Sequence, residues 1–354
     1  MASTVQETEI TNIHEELRKM WDAAQGEKKT RASLFNLVLY VPKGERIELF
    51  DTIVNSVVNK FPCRVLLIVC DEKSKEDVLN STVSSHTIGE GNLSIYCEIV
   101  RIEVSGKYVQ RVPFLVIPNI QADLPVYLMW TQDPLSENSI FPKLARIAHR
   151  IIFDSESTAN LQKYSQKVLE IENSYHAEVG DLNWSALAGW RKILAESYNE
   201  PEMLNHLRHC SEIKITYNKS ESVLHPHTEI EAAYLQAWIA SRLDWKLRSF
   251  LTYTNGKEKV KVTIEGVKTD LPAGAIVSLE LTSKNTGGHF RFRREPNSQK
   301  VMGQFSDNEK CDLPVCNFLT GVTEGKEIIN EIFYPSSREH FCSALNLLSI
   351  TKWK

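Results

Sequence analysis

Residues 34–41 read LFNLVLYV and residues 63–70 read CRVLLIVC. Each is a short, unbroken apolar run, the pattern of a strand covered on both faces. Between them Phe50, Ile53, Val54, Val57 and Val58 recur at helical spacing. Strand, helix, strand in that order is the unit of a parallel sheet. Reading outward, the rhythm continues. Residues 93–104 (LSIYCEIVRIEV), 126–130 (VYLMW) and 150–153 (RIIF) supply three further strands, and residues 109–117 a helix ending at Pro118. Leu161, Tyr164, Val168 and Ile171 form a helical stripe. Upstream, Asn12 with Glu15 three residues on has the form of a capping box that opens a short amphipathic helix. The expected fold class is α/β, with a mostly parallel N-terminal sheet carrying helices on both faces. In such sheets ligands settle beyond the C-terminal ends of the strands. That edge holds Asp71, Trp130 and Asp154.

The second half changes character. Residues 181–198 (DLNWSALAGWRKILAESY) read as one helix with Asp181 as its N-cap and Pro201 as its stop. Residues 211–217 alternate like a half-buried strand. Ile230, Ala233, Tyr234, Ala237, Trp238 and Ser241 form a long helical stripe. Four strands follow, over residues 259–264, 275–281, 289–294 and 300–305, with Gly287-Gly288 as a turn pair. Residues 328–334 and 338–348 read as helices. This is the pattern of a smaller α+β domain. The expected division is residues 1–200 and 201–354.

Composition narrows the function classes. Lys and Arg total 41 and Asp and Glu 45, a net charge of −4 over 354 residues. A nucleic-acid binder carries a basic excess, so that class is excluded. No apolar run approaches the roughly 20 residues of a membrane helix, and the N-terminus lacks a basic start followed by an apolar stretch. The expectation is a cytoplasmic protein without a membrane partner. Its seven cysteines, an odd number, then read as reduced thiols rather than a disulfide framework.

Motifs of chemistry are sparse. Gly89-Glu90-Gly91 lacks the third glycine of a dinucleotide fingerprint, precedes a strand instead of following one, and reads as a turn. Ser105-Gly106-Lys107 has a Gly-Lys pair, but Arg101 stands where a phosphate loop needs glycine. There is no Gly-x-Ser-x-Gly elbow and no His-Glu-x-x-His. His206, His209 and Cys210 share a helical face, with His225 and His227 nearby. They read as surface or capping residues, or as zinc ligands without a Cys-x-x-Cys pair. Cys311 and Cys316 (CDLPVC) read as two free thiols, or as a reversible redox pair. Arg291 and Arg293 share one strand face and Phe290 and Phe292 the other. The arginines are either the solvent face of a hairpin or an anchor for an acidic partner or phosphate. Five of the seven tryptophans fall between residues 130 and 245, as core filling or as binding hot spots. No catalytic, cofactor or metal constellation is expected.

Several segments together resemble the glucose-6-phosphate dehydrogenase assembly protein family, OpcA. They are Asn36-Leu37-Val38, Phe61-Pro62-Cys63-Arg64, Cys97-Glu98, the run from Val112 to Pro118, the run from Asp123 to Trp130, and Arg150 with Asp154-Ser155. The most distinctive is Asp181-Leu182-Asn183-Trp184 followed by Trp190-Arg191, and Ala232 to Trp238 extends the set. The ordered match covers about residues 33–245. Met129-Trp130 and Ser185 to Gly189 depart from the family's usual residues and mark a divergent member. The resemblance implies a non-enzyme that binds glucose-6-phosphate dehydrogenase, activates it, and so supports NADPH supply by the oxidative pentose phosphate pathway. The partner contacts expected are Trp130, Asp181, Trp184, Trp190 and Arg191, with Arg291 and Arg293 as a second patch. The alternative is a sugar-phosphate-binding α/β enzyme or sensor working from Asp71, Trp130 and Asp154.

Overall fold

The structure is a computed structural model that describes residues 5–8, 12–26, 30–89, 94–256, 258–296, 298–319 and 338–353. The turn at residues 90–91 and the helix expected over 328–334 lie outside the described residues. The chain forms two units of comparable size. The described part of the first is the chain up to Ser157 together with Ile171–Asp181. The second takes Thr158–Glu170 and continues from Leu182. The boundary expected at residue 200 therefore moves to Asp181, and the two units are of nearly equal size. The segment carrying Trp184, Trp190 and Arg191 belongs to the second unit.

The first unit holds β1 (Val5–Thr8), β2 (Thr30–Arg31), β3 (Asn36–Pro42), β4 (Arg64–Asp71), β5 (Leu79–Ile88), β6 (Ile95–Ser105), β7 (Val126–Trp130), β8 (Arg150–Phe153) and β9 (Glu178–Asp181). The order is β1-β5-β6-β4-β3-β7-β8-β9, with β2 beside β6. From β6 through β9 every neighbouring pair is parallel. The helix Ile47–Val58 joins β3 to β4 and buries Phe50, Ile53, Val54, Val57 and Val58, the residues whose spacing predicted it. Every residue of β3 and β4 except the last is buried, as a sheet covered on both faces requires. β5 and β1 are added antiparallel at one edge. The segment 106–119 is not one helix: a short α-helix, Val112–Val116, is flanked by two 3-10 turns, and the prolines at 113 and 118 deny it continuous backbone donors. At the N-terminal ends of β4 and β6 the register partners Arg64 and Glu98 form a buried ion pair, Nε to Oε2 at 2.8 Å, and Arg64 Nη1 donates to the Asn119 carbonyl at 2.9 Å.

The second unit holds β10 (Glu212–Asn218), β11 (Lys246–Ser249), β12 (Thr252–Thr254), β13 (Lys259–Val267), β14 (Ile276–Thr282), β15 (His289–Arg294), β16 (Lys300–Ser306) and β17 (Val315–Phe318), in the order β11-β12-β13-β10-β14-β15-β16-β17. All neighbours are antiparallel except β10 and β13. Residues 232–240 of the helix Ile230–Arg242 are all buried, so the apolar stripe read from the sequence understates how deeply it sits. The helix Arg338–Ile350 buries Phe341, Ala344, Leu345 and Leu348. The Gln162 and Gln166 amides donate to the Ser349 carbonyl at 3.2 and 2.8 Å, capping an orphan acceptor at that helix's end.

The single helix expected over 181–198 is instead the end of β9, a helix Leu182–Ala186 and a helix Ala188–Ser197. Pro201 stops nothing; it occupies the first position of the helix Pro201–Arg208, where its missing N–H costs no hydrogen bond. Among the described residues, no helix is long and apolar enough to cross a membrane.

Candidate functional site

In the first sheet the strand order reverses between β3 and β7. Such a switch point opens a crevice beyond the strand ends, the usual ligand position in an open α/β sheet. Here side chains fill it. Tyr40 of β3 and Trp130 of β7 are register partners, and their rings stack with centroids 4.1 Å apart and planes 10° from parallel. Phe141 meets Trp130 edge-on at 5.0 Å. The Tyr40 hydroxyl donates to Glu72, and burial pushes that phenol's pKa well up. The other Glu72 contacts come from Asn138 Nδ2 at 2.7 Å and Gln132 Nε2 at 3.0 Å.

The loop after β3, which in a dinucleotide fold would carry the glycines and meet phosphate at the helix N-terminus, contains only Gly44 and ends in Arg46. The Arg46 guanidinium reaches the buried Asp154 carboxylate at 2.7 Å. Lys43 lies 3.7 Å from Asp71. Asp71, Trp130 and Asp154 do stand at the strand ends as expected. Each is engaged: Asp71 by the Ser74 amide and Lys43, Trp130 by stacking, Asp154 by Arg46.

The residues expected as partner contacts divide into two groups. Trp130, Asp181, Trp184 and Trp190 are all buried, and a surface role for them is corrected. Asp181 does not cap a helix: it ends β9 and accepts hydrogen bonds from the Ser155 amide at 2.9 Å and hydroxyl at 3.0 Å. Trp184 lies between Tyr234, centroid distance 6.1 Å, and Phe341, 5.4 Å. The half-buried Arg191 lies 3.9 Å over the Trp184 ring, a cation–π contact within its own unit. These aromatics sit where a motif-rich segment crosses a core, which residue type alone cannot distinguish from a hot spot.

Arg291 and Arg293 are exposed on one face of β15, with Phe290 and Phe292 buried on the other, as the alternation predicted. Register builds cross-strand rows on the open face: Thr263, Lys214, Glu280, Arg291 and Gln304 in one, and Glu265, Thr216, Ser278, Arg293, Met302 and Cys316 in the next. Arg291 lies 3.4 Å from Glu280, whereas Ser278 and Met302 stand opposite Arg293. The adjacent Arg294 is buried; burial pulls its pKa down, and its Nε donates to the Ser298 carbonyl at 3.1 Å.

Cys311 and Cys316 are free and exposed. Cys311 pairs across from Ser306 and Cys316 from Met302. Four residues of strand separate those partners by roughly 13 Å, well beyond the 4.4–6.8 Å Cα separation typical of a disulfide. The redox pair is therefore corrected to two separate thiols.

The histidine cluster rearranges too. His209 is exposed with its Nδ1 against the Asn205 carbonyl at 2.9 Å, and Cys210 Sγ donates to the Glu212 carbonyl while burial raises its pKa to about 12. Neither turns to His206. Its neighbours are Glu202, one turn earlier on the same helix, and Asp307, a hundred residues on; together they place three ligand atoms within 4.8 Å of one another. The i, i+4 spacing of Glu202 and His206 is legible in the sequence, but the distant Asp307 is not.

A family domain described as glucose-6-phosphate dehydrogenase subunit N-terminal domain matches residues 54–170, and the corresponding C-terminal domain matches residues 177–311. A relative from Synechocystis sp., named "Putative OxPP cycle protein OpcA", is 26% identical over 265 residues, 70% of this chain and 53% of its own length. One of the same name from Synechococcus elongatus is 25% identical over 249 residues, 65% of this chain and 54% of its own length. The chain thus spans about half the length of the curated relatives it matches. Among solved structures, a super-repressor mutant of Gal80p from Saccharomyces cerevisiae aligns with a TM-score of 0.48 and 8% identity, covering 90% of this chain and 96% of that one.

Proposed function

We propose, from the premise that this chain belongs to the OpcA family of glucose-6-phosphate dehydrogenase assembly proteins, that it is a non-enzymatic partner of that dehydrogenase and activates it by favouring its active assembly. One observation carries the reading: both family domains match in order, over residues 54–170 and 177–311. The filled switch-point crevice and the loop with a single glycine support a role in binding rather than in cofactor chemistry. The exposed Arg291 and Arg293 offer charge to an acidic surface. Activation requires tighter binding to one state of the dehydrogenase than to another, because equal binding shifts no equilibrium.

The test mixes the purified chain with the dehydrogenase from the same organism. The expected outcome is a heavier complex in sedimentation and a lower half-saturation concentration for glucose 6-phosphate. If neither the mass nor the saturation curve moves, the reading fails. The alternative, a sugar-phosphate-binding enzyme or sensor, would have to draw on Lys43 and Arg46, already paired with Asp71 and Asp154. A thermal shift with sugar phosphates alone, in the absence of the dehydrogenase, would favour it over the assembly role.

A further inference from the structure

We infer that Glu202, His206 and Asp307 form a binding site for a divalent transition-metal ion of the zinc type. The inference stands apart from the proposed partnership and lies wholly within the second unit. The helix Pro201–Arg208 presents Glu202 and His206 one turn apart, and Asp307 follows the end of β16. The three donor atoms, one nitrogen and two carboxylate oxygens, lie within 4.8 Å of one another.

The decisive feature is the tautomer of His206. Its ring is more than nine-tenths buried, against Phe305 at 4.9 Å. The Ser283 hydroxyl lies 2.9 Å from the His209 carbonyl, which can only accept, so Ser283 donates there. Ser283 must then accept from Thr286 Oγ1 at 2.7 Å. Thr286 has spent its one proton and accepts from His206 Nδ1 at 2.7 Å. A relay of three side chains thus fixes the proton on Nδ1, the arrangement that orients metal-bound histidines. A neutral ring then turns its Nε2 lone pair toward Asp307 Oδ2, 4.0 Å away. Two lone pairs facing each other at this half-buried position repel, and a shared cation relieves that repulsion.

Asp307 is held for the same task. Its Oδ1 accepts from the Glu309 and Lys310 amides, both at 2.8 Å, which leaves Oδ2 for the histidine side. Glu202 Oε1 lies 3.0 Å from Lys310 Nζ. That pair is exposed, and such pairs contribute little, so the lysine yields to an ion. With bonds of 2.0–2.2 Å, donors around tetrahedral zinc sit about 3.4 Å apart; closure by up to about 1.4 Å from the 4.8 Å limit completes the set. Three protein ligands leave a fourth position for water. Gly288 belongs to the design: a Cβ there would stand 2.5 Å from His206 Nδ1, displacing the ring.

The experiment strips the full chain with chelator and titrates it with Zn²⁺ by calorimetry and with Co²⁺ by visible absorption. The expected result is one equivalent bound, a tetrahedral Co²⁺ spectrum and a raised melting temperature. His206→Asn and Asp307→Asn should abolish the spectrum. Glu202→Gln, at an exposed position that leaves folding intact, should weaken binding at least about tenfold. Thr286→Val, which removes the relay but no ligand, should weaken it about 10–100-fold. No uptake by the wild type, or uptake unchanged in both His206→Asn and Glu202→Gln, overturns the site. So does a melting temperature that neither Zn²⁺ nor Co²⁺ moves.

Discussion

Replacing Trp184 by alanine separates its two readings, core residue and partner contact. The side chain has no exposure and is bounded by Tyr234, Phe341 and the Arg191 guanidinium at 5.4–6.1 Å and 3.9 Å. Truncating a buried tryptophan costs about 3–5 kcal/mol. That loss includes the cation–π contact, about 0.5–2 kcal/mol, which places this site in the upper half of the range, about 4–5 kcal/mol. For a unit of this length each kcal/mol moves the melting temperature by about 2–4 °C, giving a fall of about 8–20 °C. Trp184→Phe keeps an aromatic ring between Tyr234 and Phe341 and should lose less than half as much. The assay is urea and thermal unfolding followed by circular dichroism, with dehydrogenase association measured by sedimentation at a temperature where every variant is folded. A Trp184→Ala protein that melts within about 1 °C of wild type yet no longer associates would refute the core assignment.

Four further outcomes follow from the geometry. Arg64→Met leaves the Glu98 carboxylate buried without its guanidinium and should cost about 3–5 kcal/mol, whereas the double change with Glu98→Leu should recover most of it; equal losses in the single and double variants of a urea series contradict this. Arg291→Glu with Arg293→Glu should weaken dehydrogenase association, most of all at low ionic strength; an unchanged affinity and salt slope removes that face from the interface. Cys311 and Cys316 should react with a thiol reagent in the native protein, while Cys63, Cys70, Cys97 and Cys210 react only on unfolding. Burial raises the pKa of Cys70 to about 11 and of Cys210 to about 12 from an ordinary 9.0. A raised folded pKa gives stability that is complete below the unfolded value, so unfolding titrations should show stability falling from about pH 9 upward; a flat profile between pH 8 and 11 counts against it.

What the sequence disclosed tracks where apolar residues cluster. β3 and β4 are buried on both faces, and their unbroken runs announced them. β5, with Leu79 and Val83 among serines and threonines, lies in the antiparallel margin of the sheet with one face half-exposed, so it needs few apolar residues and left little periodic signal. The stretch 181–198 misled because Asp181 has a cap's chemistry but spends its carboxylate on Ser155, 26 residues away. The tryptophans were visible as types, whereas their burial depends on Tyr234 and Phe341, distant in the chain. The Arg291 and Arg293 face was legible because strand alternation is local. Asp307 opposite His206 was not, because only the packing of the helix Pro201–Arg208 against the end of β16 brings them together.

The amide caps on Ser349 have a temporal meaning. Gln162 and Gln166 close on a carbonyl more than 180 residues further along the chain, and Phe341 supplies one wall around Trp184. During synthesis the second unit's first segment emerges long before the helix that completes its core. Until residues 338–350 leave the ribosome, Trp184 and Tyr234 face an unfilled groove, and the half-made unit is exposed to chaperones and to aggregation for the whole of that interval.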